Sequence, residues 1–96
     1  MEIVVNRLTN TYPLKFHVEV IEKTGRSTHE VTLKENTYQS LKSPTTIPEH
    51  FIRAAFQFLL DREPKEAILR SFNVDVISRY FPEFPRCLPE YLDRLD

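Results

Sequence analysis

Residues 14–34 read LKFHVEVIEKTGRSTHEVTLK, and apolar and polar side chains alternate in them on both sides of Gly25, the only glycine of the chain. Alternation with a period of two is typical of a strand that buries one of its faces. Glycine can adopt the positive φ that a tight turn requires. The stretch therefore predicts an antiparallel β-hairpin that turns at Gly25.

The apolar side chains also select how the two strands pair. If Thr24 and Gly25 form a two-residue loop, the apolar side chains of both strands share one face, and a shift by one residue would break that face. The predicted cross-strand pairs are Val20 with His29, Val18 with Val31, and Phe16 with Leu33. Because an isolated hairpin is marginally stable in water, another part of the chain must cover this face. Ile3-Val4-Val5 is a candidate third strand.

The second half of the chain is predicted to be helical. The break lies at residues 43–46, after which Thr46 and Glu49 fit a capping box that starts a helix running to about Arg62. Shorter helices are predicted over residues 64–72 and 74–81, followed by an irregular proline-rich tail and a last helical turn after Pro89.

The helix over residues 48–62 has an unusually wide apolar surface. Its polar stripe holds His50, Arg53, Gln57 and Asp61, and Leu60 falls inside that stripe. The remaining arc is much wider than the ~100° of a helix with one covered side. The helix is therefore either central, with neighbours on two sides, or it offers one edge to another molecule.

These elements predict an α+β fold, in which an N-terminal antiparallel β-hairpin, with or without a third short strand, packs on a C-terminal bundle of three to four short helices. The length of 96 residues suits a single domain, mainly β over residues 1–43 and mainly helical over residues 44–96. The content of 41% hydrophobic and 28% charged residues is typical of a globular domain.

Residue types that support catalysis or cofactor binding are poorly represented. The single cysteine, Cys87, excludes a disulfide within the chain and a multi-cysteine zinc site. His17-Val18-Glu19 matches half of a zinc-deaminase signature whose other half needs two cysteines. One glycine cannot build a glycine-rich phosphate loop, and His29 is predicted to be a structural residue on the apolar face. We therefore expect a non-enzymatic protein without catalytic, cofactor-binding or metal-binding residues.

A nucleic-acid-binding protein is the alternative. The net charge is −1, and neither half of the chain carries a basic excess. Residues 64–81 nevertheless loosely resemble a helix-turn-helix unit, with a small residue, Ala67, where two helices would cross. The basic candidates under this alternative are Arg62, Lys65, Arg70 and Arg79.

The leading hypothesis is a protein-interaction or regulatory module. A body of this size cannot hide every apolar side chain, and exposed apolar clusters mark association sites. The partner-binding candidates are Leu60, Tyr80, Phe81 and Phe84. The partner is another protein or a second copy of the chain in a homodimer. Without a signal peptide or an apolar stretch of ~20 residues, a cytoplasmic protein without a membrane partner is expected.

Overall fold

The computed structural model describes residues 1–95 and confirms the α+β class. The strands of the described residues are β1 (Glu2–Arg7), β2 (Leu14–Glu22), β3 (Gly25–Leu33) and β4 (Ser71–Asn73). The helices of this range are α1 (Glu35–Leu41), α2 (Pro48–Leu60), α3 (Asp75–Tyr80) and α4 (Phe84–Leu95), and a 3₁₀ turn covers Lys65–Ala67.

The four strands within residues 1–95 form one sheet in the order β1-β2-β3-β4. The first three strands are antiparallel, so the predicted hairpin and the candidate third strand are both confirmed. β4 pairs in parallel with β3, and α1 and α2 lie in the connection between them. β4 was not predicted, because a helix is expected over residues 64–72.

The predicted register of the hairpin is wrong by two residues. Glu22 pairs with Gly25, Phe16 with Val31 and Val18 with His29. Because Glu22 pairs with Gly25, the turn lies at residues 23–24, and Gly25 follows it instead of forming its second position. Gly25 is the only residue within 1–95 with a positive φ, 144°. A shift of two residues leaves every side chain on its predicted face, and the hydrophobic pattern therefore could not distinguish the two registers.

α2 is central, which resolves the alternative posed by its wide apolar surface. On one side the Phe56 ring lies 5.3 Å from the His29 ring of the sheet. On the other side the Phe58 ring lies 5.0 Å from Phe84 and 5.8 Å from Tyr91, both of α4. The apolar arc is therefore covered largely within the chain.

The capping box predicted at the start of α2 is wrong. α2 begins at Pro48 with Ile47 at the N-cap position. The hydroxyl of Thr46 instead accepts a hydrogen bond from the backbone N–H of Ser43 at 3.1 Å, which closes the preceding turn. Glu49 forms an ion pair with Arg7 of β1 at 2.7 Å. Thr46 thus stabilises the turn before α2, and Glu49 attaches α2 to β1.

The helix predicted over residues 64–72 is also wrong. After the 3₁₀ turn the chain extends into β4, where the backbone N–H of Glu30 donates to the Arg70 carbonyl at 2.7 Å and the Val74 N–H donates to Thr32 at 2.9 Å. Pairing with a long neighbouring strand outweighs the weak helix propensity of this segment. The first helix of the helix-turn-helix-like unit is therefore not formed, whereas α3 matches the helix predicted over residues 74–81.

The proline-rich tail, predicted to be irregular, belongs to α4. Pro85 lies in the first helical turn, where its missing N–H has no helical partner to lose. Pro89 lies within the helix and removes one helical hydrogen bond. Phe84, Leu88 and Leu92 are buried on one side of α4, and this packing holds the segment helical despite Pro89.

Candidate functional site

An apolar groove of about 350 Å³ opens between α3 and the segment that leads into β4. We call it the α3–β4 groove. Its walls include Leu59 and Glu63 at the end of α2, Leu69 and Phe72 around β4, and Val76 and Tyr80 of α3. Concave apolar surfaces of this volume are typical of binding sites.

Two large apolar side chains of the groove are exposed. Leu69 has 49% and Tyr80 68% of its surface exposed to solvent. Other exposed apolar residues, such as Leu8 and Ile47, lie outside the groove lining, and single exposed residues of this kind are ordinary. Leu69 and Tyr80 differ because they border the same concave surface.

Glu63 is the only charged side chain among the groove-lining residues of the described chain. Within residues 1–95 its carboxylate has neither an ion-pair partner nor a side-chain hydrogen bond, and burial raises its pKa. An ionised carboxylate that is partly removed from water and unpaired favours a positively charged partner.

His29 of β3 holds the groove residue Leu69 through a hydrogen bond to its backbone. Its side chain is buried, and its Nδ1 lies 2.7 Å from the backbone oxygen of Leu69. A carbonyl can only accept, so Nδ1 donates the proton, and Nε2 accepts from the Ser27 hydroxyl at 2.8 Å. Burial lowers the pKa of His29 and thereby favours this neutral imidazole. The predicted structural role of His29 is consistent with this geometry.

Lys65 attaches the 3₁₀ turn to the hairpin. Its side chain is only 4% exposed, and its Nζ lies 2.9 Å from a carboxylate oxygen of Glu22 and 2.6 Å from one of Glu66. Hydrogen bonds to Glu66 and then Glu22 raise the pKa of Lys65. The segment between α2 and β4 is therefore held at Lys65 by ion pairs and at Leu69 by the hydrogen bond from His29.

The structure brings together two of the four predicted partner-binding residues. Tyr80 and Phe81 both line the groove. Phe84 is fully buried against Phe58 and belongs to the core, because the tail forms a helix that packs on α2. Leu60 is partly buried against the core and does not line the groove.

Glu63, Leu69 and Phe72 line the groove but are not among the residues predicted to bind a partner. Leu69 and Phe72 fall in the predicted helix over residues 64–72, which is not formed, and that helix gives no reason to place them beside α3. Glu63 lies within the charged run 61–66, DREPKE, so no local signal distinguishes it from its neighbours.

The four nucleic-acid candidates do not form a continuous basic surface. Arg62 pairs with Glu83 at 3.1 Å, and its guanidinium lies 3.7 Å from the centre of the Phe58 ring. Lys65 is held by two carboxylates. Arg70 and Arg79 are exposed and have no ion pair within residues 1–95. Carboxylates are thus interspersed at two of the four positions.

Other candidate chemistry stays dispersed in the part of the chain that the structure describes. His17 pairs with Glu30 at 2.7 Å across two strands. Cys87 is a partly buried free thiol. Residues 1–95 contain no group of three or more side chains placed to hold a metal ion. Nor does any helix in this range have the length and apolar character needed to cross a membrane.

Comparisons with protein-family models, curated protein sequences and solved structures found no match for this chain. The geometry of the groove is therefore the basis for a functional interpretation.

Proposed function

We propose that the protein is a non-enzymatic interaction module that binds a short apolar segment of a partner protein in the α3–β4 groove. The segment carries a lysine or arginine that pairs with Glu63. The observation that carries this proposal is the unpaired carboxylate of Glu63 in an otherwise apolar, open groove.

The chemistry of the partner follows from the groove. Leu69 and Tyr80 offer apolar area at the rim, and covering it contributes a favourable transfer free energy of roughly 25 cal/mol per Å², from which the entropy cost of ordering the segment is subtracted. Glu63 supplies selectivity, since a cationic side chain would compensate the carboxylate for its loss of water. An anionic segment at the same place would be repelled.

A protein partner suits these features better than a reaction does. Within the described residues, Glu63 is the only titratable group of the groove lining apart from Tyr80, and neither lies beside a nucleophile or a base. The free thiol of Cys87 is compatible with a reducing compartment, and we propose the cytoplasm.

The test is a selection of short random peptides displayed on phage against the immobilised protein. Leu69→Glu replaces apolar area at the groove rim with a carboxylate, which the apolar side chains of the peptide would have to remove from water on binding. Leu8→Glu is the matched control, because Leu8 is 57% exposed and follows β1, at the opposite edge of the sheet. Selected peptides should be apolar with one lysine or arginine, and they should bind wild type and Leu8→Glu equally. Leu69→Glu should weaken binding at least about tenfold.

Two results would contradict the proposal. One is a selection that enriches no peptide, or only peptides that bind Leu69→Glu as well as wild type. The other is a wild-type protein that sediments as a dimer and becomes monomeric on Leu69→Glu, because the groove would then hold a second copy of the chain.

A further inference from the structure

The two edges of the sheet differ in how their outward backbone groups are used. Directly after β1, the N–H of Leu8 donates to Lys15 of β2. Residues whose backbone groups face β2 alternate along β1 with residues whose groups face away, so Ile3 directs its carbonyl away from β2. That carbonyl accepts a hydrogen bond from Nη1 of Arg53 at 2.6 Å. A side chain of α2 therefore occupies part of the β1 edge.

The β4 edge is open. The Arg70 carbonyl and the Val74 N–H bond to β3, so the parallel ladder directs the backbone groups of Ser71 and Asn73 to the other side. Within residues 1–95 these outward N–H groups have no hydrogen-bond partner in the chain. Unpaired strand edges of this kind can accept a further strand.

The open edge and the α3–β4 groove adjoin each other at Phe72. The Phe72 ring points to the helical side of the sheet, 6.0 Å from Phe56, and lines the groove. The side chain of Ser71 is exposed on the alternate side. A strand added beside β4, at a spacing of about 4.8 Å, would alternate in the same way and send every second side chain over the groove.

We infer that the partner segment binds in extended form as a fifth strand along β4, an inference that rests on the proposed function. Its alternate side chains are apolar and enter the groove, and one of these inward positions carries the basic residue that pairs with Glu63. Backbone hydrogen bonds to Ser71 and Asn73 contribute affinity, and the inward side chains contribute specificity.

An N-methyl scan of the tightest selected peptide tests the binding mode from the side of the ligand. Each backbone amide is methylated in turn, and affinity for the wild-type protein is measured by fluorescence polarisation. Strand addition predicts losses of about tenfold or more at every second position that faces β4, with little change between them. A helical ligand would not show this period of two.

Ser71→Pro tests the same mode from the side of the protein. Proline removes the outward N–H of Ser71 without removing a donor to β3. We expect at least about tenfold weaker binding of the same peptide by Ser71→Pro. Ser71→Ala, which keeps the N–H, is the matched control and should bind like wild type. If Ser71→Pro does not fold, the N-methyl scan decides alone.

The outcomes separate the two proposals. A peptide that loses affinity on Leu69→Glu but shows no period-two sensitivity to N-methylation overturns strand addition and leaves groove binding standing. A selection without any groove-dependent peptide overturns both. Self-association through paired β4 edges, detected as a dimer that Ser71→Pro dissociates, would also overturn the inference, because the fifth strand would come from a second copy.

Discussion

The C-terminal end of α2 separates two surfaces that are built differently. On one side lies what we call the Phe58 cluster, formed by Phe58, Phe84, Tyr91, Arg62 and Asp61. There the Arg62 guanidinium lies over the Phe58 ring, and the Tyr91 hydroxyl donates to Asp61 at 2.5 Å. On the other side lies the α3–β4 groove, with exposed apolar side chains and an unpaired carboxylate. The rings of the Phe58 cluster are covered and its charged groups are paired within the chain, whereas the groove keeps exposed apolar side chains and the unpaired Glu63.

Under the proposed function, this difference separates packing that stabilises the fold from a surface that a partner covers. In the Phe58 cluster the rings are buried and the charged groups are paired, as expected for a structural element. The groove also holds aromatic rings and a carboxylate, but half of the surface of Leu69 and more of Tyr80 remain in water. Substitutions on the two sides should therefore have opposite profiles: large effects on stability in the cluster, and effects on binding in the groove.

The largest expected effect is that of Phe58→Ala. Phe58 is fully buried, and its loss removes apolar contacts and leaves a cavity, which should lower the free energy of unfolding by about 3–5 kcal/mol. Leu69→Ala in the groove is the comparison and should cost about 1 kcal/mol or less. Urea unfolding followed by far-ultraviolet circular dichroism measures both. Similar losses for the two variants would contradict the division into two surfaces.

Tyr91→Phe should have an intermediate effect. The hydroxyl of Tyr91 is held by Asp61, and this hydrogen bond is the main reason why the pKa of Tyr91 is raised. Removing the hydroxyl should cost about 1 kcal/mol, since Asp61 is exposed and can turn to water. Tyr80→Phe, in the groove, should leave the urea midpoint unchanged. A Tyr91 variant as stable as wild type would show that the cluster does not depend on this bond.

The buried face of the sheet with α2 and the α3–β4 groove also differ in how far the sequence predicted them. The buried face of the hairpin followed from the alternation of Phe16, Val18 and Val31, because burial on one face imposes a period of two. The register did not follow, because a shift of two preserves that period. α2 and its polar stripe could be predicted for the same reason, since a helical period extends over its whole length.

The groove could not be predicted, because it depends on β4. This strand has only three residues, and contacts distant in sequence hold it, above all the bonds that His29 and Glu30 make to Leu69 and Arg70. Local propensity cannot show a strand that a neighbouring strand imposes. Tyr80 and Phe81 were predicted as candidates from their apolar character alone, and the residues that make them part of a groove come from the segment assigned to a helix.

His29 allows a test of how firmly the groove wall is built. Its pKa is lowered mainly by burial, so the folded protein binds the proton less readily than the unfolded chain does. Stability is then fully present above the unfolded pKa of about 6.5 and falls as pH drops below it. We expect the urea midpoint to fall between about pH 7 and pH 5, and to fall less in His29→Gln. Parallel curves for the two proteins would indicate that His29 is not buried as a neutral group.

The smallest expected effect is the change in stability when one carboxylate is neutralised. We expect this change to have opposite signs in the groove and beside the Phe58 cluster. Burial raises the pKa of Glu63, so the folded state holds that proton more tightly, and stability falls as pH rises above the ordinary carboxyl range. At neutral pH, Glu63→Gln should therefore stabilise the free protein by about 0.5 kcal/mol or less.

Glu83→Gln is the matched change beside the Phe58 cluster. The Glu83 backbone amide and then Arg62 lower the pKa of this carboxyl, so its charge favours folding above the carboxyl range, and its loss should destabilise. Thermal unfolding at about pH 7 should then shift upward for Glu63→Gln and downward for Glu83→Gln, while only Glu63→Gln weakens binding of the basic peptides. A lower unfolding temperature for both variants would mean that Glu63 already has a stabilising partner in the folded chain. The groove would then have no unpaired carboxylate with which to bind a cation.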